Sequence, residues 1–460
     1  MTLAVDPFSS LSDLAQALRS NAWSATALTE LFLDRIARLD PILQAFVNVQ
    51  GESALRAAQA SDRRRNDGCP RGPLDGVPIA VKDLFEIEGE ITTCGSAAWR
   101  KRRSTTTAAV VRRVQAAGMV VLGKTAMVEF AFGTSGANEF MGTPRNPWDL
   151  DVHRIPGGSS SGSGVAVAAG LAPAAIGSDT GGSVRIPASL VGITGIKTTP
   201  GSIDLAGTLP LSPTLDTLGP MAHTIDDCAS LFAVMARENV PPDPMAPTRT
   251  TLDLSGLRVA VLADKLPACV EDDVVGAVLE VRRFLRDCGA QIVEGPVPID
   301  FEDFGRRCRE LIAAEAWGVH ASYIENSGLP IGHWIRERVS QGKGTTRSCL
   351  LALRATRERL RANWLLSTPN VDLVVTPTSP YSACPLSQFD EGSPALGTFT
   401  RAVNYLGACA VSLPAGFTQN AMPVGVQFVG KPGDEATLIR VGRAWQAATD
   451  WHLRRPQGLM

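Results

Sequence analysis

The chain has 460 residues, of which 44% are hydrophobic and 20% charged, with a formal net charge of −2. That length can bury a large core, and the near-neutral balance gives no electrostatic footprint for nucleic acid or an anionic membrane. The most apolar stretch, Val165 to Gly177, is shorter than the roughly 20 residues a membrane-spanning helix needs. In chain order, Met1 to Phe8 lacks the basic and apolar regions of a secretory signal. Leu11 to Leu18 and Ala25 to Leu39 carry helical apolar spacing, and the second is predicted to stop before Asp40-Pro41. Pro73 to Phe85 reads as a turn feeding a short buried strand. Thr107 to Ala117 reads as an amphipathic helix stopped by Gly118, with a strand at Met119 to Leu122 behind it. Val165 to Ala169 opens a small-residue helix, and Ala174 to Gly177 reads as a strand. A helix at Asp226 to Ala236 and a strand at Leu257 to Leu262 repeat the order. Such alternation predicts an α/β fold around a mixed or parallel sheet. Pro241 to Thr251 is the clearest linker-like stretch. Asp372 to Pro377 and Ala410 to Pro414 are again buried-strand patterns, so the chain is expected to return to the sheet of its first half. One domain spanning 1–460 is expected, with 239–370 its most variable and most helical part and 371–460 the return to the core sheet.

Nine cysteines are scattered without a C-x-x-C pair or a Cys/His cluster, the usage of a reduced, cytoplasmic chain with no metal site. None of the five histidines stands in a catalytic context. Three other segments carry chemistry. Gly76 to Asp83 is an apolar run that ends in Lys82. Gly157 to Gly164 is a glycine-serine run containing Ser159, Ser160 and Ser161. Gly177 to Arg185 is a second such run containing Ser183. A serine hydroxyl is a poor nucleophile until a base takes its proton. Lysine can be that base if burial lowers its pKa, because burial disfavours the ammonium form. An apolar strand ending in Lys82 suits this requirement. Thr180, Gly181, Gly182 and Ser183 can offer backbone N–H groups to a tetrahedral oxyanion, and glycine at 181 and 182 permits positive φ and close approach.

These three segments resemble those of the amidase signature family, strongly over residues 60–235 and weakly again at Phe399 to Val429. The resemblance implies an α/β fold with a large mixed central β-sheet and helices on both faces. It implies that Ser183 is the nucleophile, Ser159 a bridging serine after a cis Gly158–Ser159 peptide, and Lys82 the base. Thr180 to Gly182 match the oxyanion loop, and Ser160 and Arg185 match residues that buttress it by hydrogen bonds. Gly133, Thr134 and Ser135 match the segment lining the acyl side. No metal or cofactor is implied. The expected reaction is hydrolysis of a linear amide-type C–N bond of a small molecule through an acyl-enzyme. Carbamates (urethanes) and biuret- or urea-type compounds are alternative substrates. The second hypothesis is an amidotransferase component that releases ammonia for a partner, and a homodimer is also compatible with the sequence. A non-catalytic binding module is a third, against which the joint presence of Lys82, Ser159 and Ser183 argues.

Other motifs weigh less. Gly118 to Thr125 formally matches the P-loop pattern, but its four intervening residues read as a strand rather than a loop. Ser160 satisfies G-x-S-x-G, yet no strand precedes it. Gly157 to Gly164 could be a flexible linker, and Arg100 to Arg103 an anion patch or a solvated turn. Glu129 and Asp179 are expected to hold structure by hydrogen bonds. Aromatic residues between Trp317 and Trp334 and from Phe399 to Tyr405 predict a moderately apolar wall on the leaving-group side. Arg401 could instead read a carboxylate there.

Overall fold

The computed structural model of the chain describes residues 6–236, 252–263 and 266–459. Its described strands are β1 (Phe46–Val49), β2 (Pro78–Lys82), β3 (Val120–Thr125), β4 (Ala174–Asp179), β5 (Thr194–Lys197), β6 (Thr217–Ala222), β7 (Arg258–Val261), β8 (Gln291–Val293), β9 (Leu373–Pro377), β10 (Cys409–Phe417) and β11 (Pro423–Gly430). All of them join one 11-stranded sheet in the order β1-β3-β2-β4-β6-β5-β10-β11-β9-β7-β8. It is mixed: β2 runs parallel to β3 and β4, and β7 runs parallel to β8 and β9. The remaining neighbours are antiparallel.

Successive residues of one strand enter different cores. Val259, Val375, Val411 and Phe428 pack with Val278, Val281, Val441 and Trp445, which come from the helices Asp272–Asp287 and Glu435–Ala448. Ala260, Val374, Ala410 and Val429 pack instead with Trp364 and Val403, from the helices Arg347–Ser367 and Arg401–Tyr405. Side chains alternate across a strand, so helices cover both faces, as the α/β expectation requires. Each such aliphatic burial contributes about 1.5–3 kcal/mol. A further core under the helices Phe301–Ile324 and His333–Ser340 holds Leu84, Phe130, Leu211, Ile312 and Ile335, joining those helices to the loops after β2 and β3.

The C-terminal segment does return to the sheet: β10 pairs with β5, with Val411 opposite Ile196. The segment 252–370 adds β7 and β8 to the sheet besides its helices. The linker-like stretch 241–251 lies outside the described residues.

Two element boundaries differ from expectation. The second helix continues through Pro41 to Leu43. Proline removes one N–H close to the helix end, where Asp40 holds the exit: its backbone carbonyl accepts Gln44 N–H at 2.8 Å and its carboxylate accepts Ala45 N–H at 2.7 Å. The small-residue helix begins at Ser161 rather than Val165. Its glycines serve packing, since a Cβ on Gly162 would stand 2.2 Å from the Ala45 carbonyl oxygen and 2.5 Å from Ala126 N. The P-loop match is a strand: Lys124 lies inside β3, fully buried, in an ion pair with Asp83 at 2.6 Å. The basic run is a turn in which Arg100 donates to the Phe140 carbonyl, Arg102 pairs with Glu86, and Arg103 donates to the Gly89 carbonyl.

Candidate active site

β2 and β4 are parallel neighbours whose carboxyl ends meet, the position where open α/β sheets bind ligands. Lys82 closes β2, and Ser178 and Asp179 close β4. The Lys82 side chain is wholly buried, with Nζ 2.8 Å from Ser159 Oγ and 2.8 Å from Ser178 Oγ. Among the described residues it makes no ion pair. Burial lowers its pKa from 10.5 to about 7, against the opposing pull of the Asp179 and Asp216 carboxylates.

The Gly157–Gly164 run is fixed to its surroundings and is no linker. The Gly158–Ser159 peptide is cis. Ser160 N–H donates to the Ser183 carbonyl at 3.2 Å. Ser160 Oγ donates to the Ser178 carbonyl at 3.2 Å and accepts Ser178 N–H at 3.3 Å. With its hydroxyl bound to the end of β4, Ser160 lacks the exposed position of an elbow nucleophile.

The loop bearing Ser183 wraps around the buried Asp179 carboxylate. That carboxylate accepts Gly182 N–H at 2.8 Å, Val184 N–H at 3.1 Å and Asn404 Nδ2–H at 2.9 Å. Arg185 grips it through Nε and Nη2, each at 3.0 Å, and donates to Gln427 at 2.9 Å and Asn404 at 2.6 Å. Burial alone would raise the Asp179 pKa, but Arg185, together with Lys197 and Asn404, outweighs it and holds the group well below the usual carboxylate range. Gly182 has φ +128°, and a Cβ there would lie 2.4 Å from Thr400 Oγ1.

Two expectations about this loop change. Gly182 N–H is engaged by Asp179 and is not free for an oxyanion. Among the described residues, the N–H groups of Thr180, Gly181 and Ser183 have no acceptor. Gly181 does not take positive φ; its missing side chain instead opens space, because it lines the cavity beside Ser183. Thr180 Oγ1 donates to Asp216 at 2.6 Å, and Asp216 also accepts N–H groups from Leu211 at 3.0 Å and Ser212 at 3.1 Å. Burial raises Asp216 from 3.8 to about 6 despite these donors.

The cavity at Ser183 has a volume of about 200 Å³ and is lined by Gly133, Thr134, Thr180 and Gly181 among others. Ser135 is outside the lining: it is buried and donates to the Glu391 carboxylate. Of the segments expected to form an apolar wall on the leaving-group side, only Arg401 reaches this cavity, which it shares with the acyl-side Gly133 and Thr134; Trp317 packs into the core beneath, and Phe399 and Tyr405 are buried. The lining is mixed: Phe132, Leu211, Ile312 and Pro394 stand beside Arg309, Arg338, Gln341, Glu391 and Arg401. Aromatic rings gain more from the core than from a wet wall. Glu129 has the structural role expected of it, accepting the Ser96 hydroxyl at 2.6 Å and Gly332 N–H at 2.9 Å.

Sequence reading missed Ser178, Asp216, Arg309, Arg338 and Glu391. Ser178 left one signal, its place beside Asp179 at the end of the strand feeding the Ser183 loop. The other four sit in segments without a local motif. Among the described residues, no group of three His, Cys, Asp or Glu side chains is arranged to hold a metal ion, and no helix is long and apolar enough to cross a membrane.

Known proteins resemble this chain in sequence and in fold. The Amidase family model matches residues 27–439. The glutamyl-tRNA(Gln) amidotransferase A-type subunit of Chloroflexus aggregans is 37% identical over 474 residues, covering 96% of each chain. A solved structure described as an unexpected vestigial protein complex, which reveals the evolutionary origins of an s-triazine catabolic enzyme, superposes with a TM-score of 0.85. It is 31% identical and covers 96% of this chain and 98% of its own. A peptide amidase in complex with the competitive inhibitor chymostatin gives a TM-score of 0.84 at 29% identity, covering 98% of this chain and 99% of that one.

Proposed function

The chain belongs to the amidase family, and from that premise we propose that it hydrolyses a linear amide-type C–N bond of a small molecule through an acyl-enzyme on Ser183. The observation that carries this reading is the buried Lys82 amine, held 2.8 Å from two neutral hydroxyls and from no carboxylate. With a pKa near 7 it is largely uncharged in mildly alkaline solution and can accept a proton. Ser159 passes the Ser183 proton to Lys82 as the Ser183 oxygen attacks the carbonyl carbon. The resulting oxyanion is met by the N–H groups of Thr180, Gly181 and Ser183. Each such donor is worth about 3–4 kcal/mol in transition-state stabilisation. Lys82 returns the proton through Ser159 to the departing nitrogen. Water, activated by the same relay, then cleaves the acyl-enzyme and releases the acid. Carbamates and urea-type substrates fit the same steps, differing only in the group beside the carbonyl.

A second reading is favoured by the likeness to the glutamyl-tRNA(Gln) amidotransferase protein over nearly the whole chain. In it the same site releases ammonia for a partner protein. The experiment that tests the first reading uses the purified chain alone on primary amides, anilides, carbamates, ureas and glutamine. Turnover without a partner, abolished in Ser183→Ala, supports it. Activity on glutamine alone, appearing only when a partner protein is added, favours the second. A fluorophosphonate should label Ser183 and spare Ser160; labelling at Ser160 removes the proposed nucleophile.

A further inference from the structure

Resting on the hydrolase reading above, we propose that the substrate carries a carboxylate and that Arg309 and Arg401 bind it in the cavity beside Ser183. Three arginines and one carboxylate line that cavity. Arg338 is committed to holding the wall together, because Nη1 donates to the Phe132 carbonyl at 2.8 Å and Nη2 pairs with Glu391 at 2.8 Å. Glu391 is equally committed, since it also accepts the Ser135 hydroxyl. Arg401 makes one hydrogen bond among the described residues, from Nη1 to the Pro394 carbonyl at 2.5 Å, which leaves its charge unbalanced. Arg309 has neither a hydrogen bond nor an ion pair among the described residues.

The placement of Arg401 matters as much as its charge. A Cβ on Gly181 would meet Arg401 Cγ at 3.5 Å, so the arginine stem lies against the oxyanion loop. Burial, with the nearby Arg309 and Arg338 charges, lowers the Arg401 pKa to about 10. Arg401 is half-buried and Arg309 exposed, so two like charges without an ion pair stand together at this cavity, and an anionic ligand relieves their repulsion. Guanidinium groups present planar forks that match a carboxylate, and a bidentate pair adds orientation as well as affinity. A cavity of about 200 Å³ suits a small acid rather than a macromolecule. The class of substrate is therefore a short amide whose other end is a carboxylate. Its chain length has to span from the Ser183 oxygen to the arginines.

The test compares succinamate with butyramide on the purified chain, a pair alike in length and differing in the carboxylate. Wild type should show kcat/KM at least about tenfold higher for succinamate, expressed in KM. In Arg401→Gln and in Arg309→Gln, the ratio between the two substrates should fall by a similar factor. Equal kcat/KM for the two in the wild type, with butyramide hydrolysed, overturns the anion site and leaves the hydrolase reading standing. A ratio retained in both variants overturns it too. If no amide is turned over at all, the hydrolase reading fails, and binding decides the site separately. Succinate should raise the Tm of Ser183→Ala and leave that of Ser183→Ala/Arg401→Gln unmoved, while inorganic phosphate at matched ionic strength has little effect. No shift with succinate, or an equal shift with phosphate, overturns the carboxylate assignment.

Discussion

Lys82 is the residue whose environment makes the strongest quantitative demand. Its amine must lose a proton to act, so activity is present above the folded pKa and lost as pH falls through it. The expected kcat/KM profile rises with an apparent pKa of about 7 and drops about tenfold per pH unit below that. A limb near 10 would mean that the amine is not desolvated. The same burial acts on stability with a definite sign. The folded pKa lies below the unfolded one, so the unfolded chain binds more protons and stability rises with pH between about 7 and 10.5. A displacement from 10.5 to about 7 is worth roughly 4–5 kcal/mol against folding at low pH. Lys82→Met removes that cost but strands the Ser159 and Ser178 hydroxyls, at about 1 kcal/mol each. The variant is expected to be inactive yet about 2 kcal/mol more stable at pH 6, with the gain shrinking toward pH 9, as read from urea midpoints. Lys82, Ser159 and Ser183 stand out in the sequence because each ends or punctuates a run of unusual composition. Asp216 does not, because a lone aspartate in a loop has no local pattern. Only the fold brings it to Thr180.

At the scale of single elements, the Ser183 loop depends on a charge it encloses. Asp179 gathers two loop N–H groups, and Arg185, fully buried, neutralises it. Removing one partner of a buried pair leaves the other uncompensated, which costs about 3–5 kcal/mol. Arg185→Met is therefore expected to lower stability by that order and to reduce kcat more than KM, because the loop N–H groups lose their anchor. Adding Asp179→Asn should recover part of the stability, since no charge is then stranded. Denaturation midpoints of the single and double variants check this; a single variant as stable as wild type removes the argument. The small-residue helix is governed by space rather than charge. Gly162→Ala places a methyl into the Ala45 and Ala126 backbone and is expected to destabilise by more than helix propensity could return. The sequence reading opens this helix at Val165, after the glycine-serine run, whereas it begins at Ser161. The reason for glycine is the backbone of another segment, which no local pattern reports.

Across the whole molecule, the site draws on parts of the chain far apart in sequence. Arg185 is held by Asn404 and by Gln427 of β11, and the cavity wall takes Arg309 and Arg338 from helices between β8 and β9. The apolar runs that became β9 and β10 were legible because strands buried on both faces read as continuous apolar segments. Which strands they would join was not legible, since pairing partners are set by topology. The observed order puts β10, β11 and β9 between β5 and β7. A chain ended at residue 370 therefore loses strands from the middle of the sheet rather than from its rim. β5 would present an open edge on one side, β7 would lose its neighbour β9, and Val411, Leu413, Val426 and Phe428 would leave the largest core. Open apolar edges pair with one another and aggregate. The truncated chain is expected to be insoluble or to lack near-ultraviolet circular dichroism, without a folded remnant corresponding to 60–235. A soluble, cooperatively melting product with signals of fixed aromatic packing would show instead that the first half folds alone, and that the later strands only dock onto it.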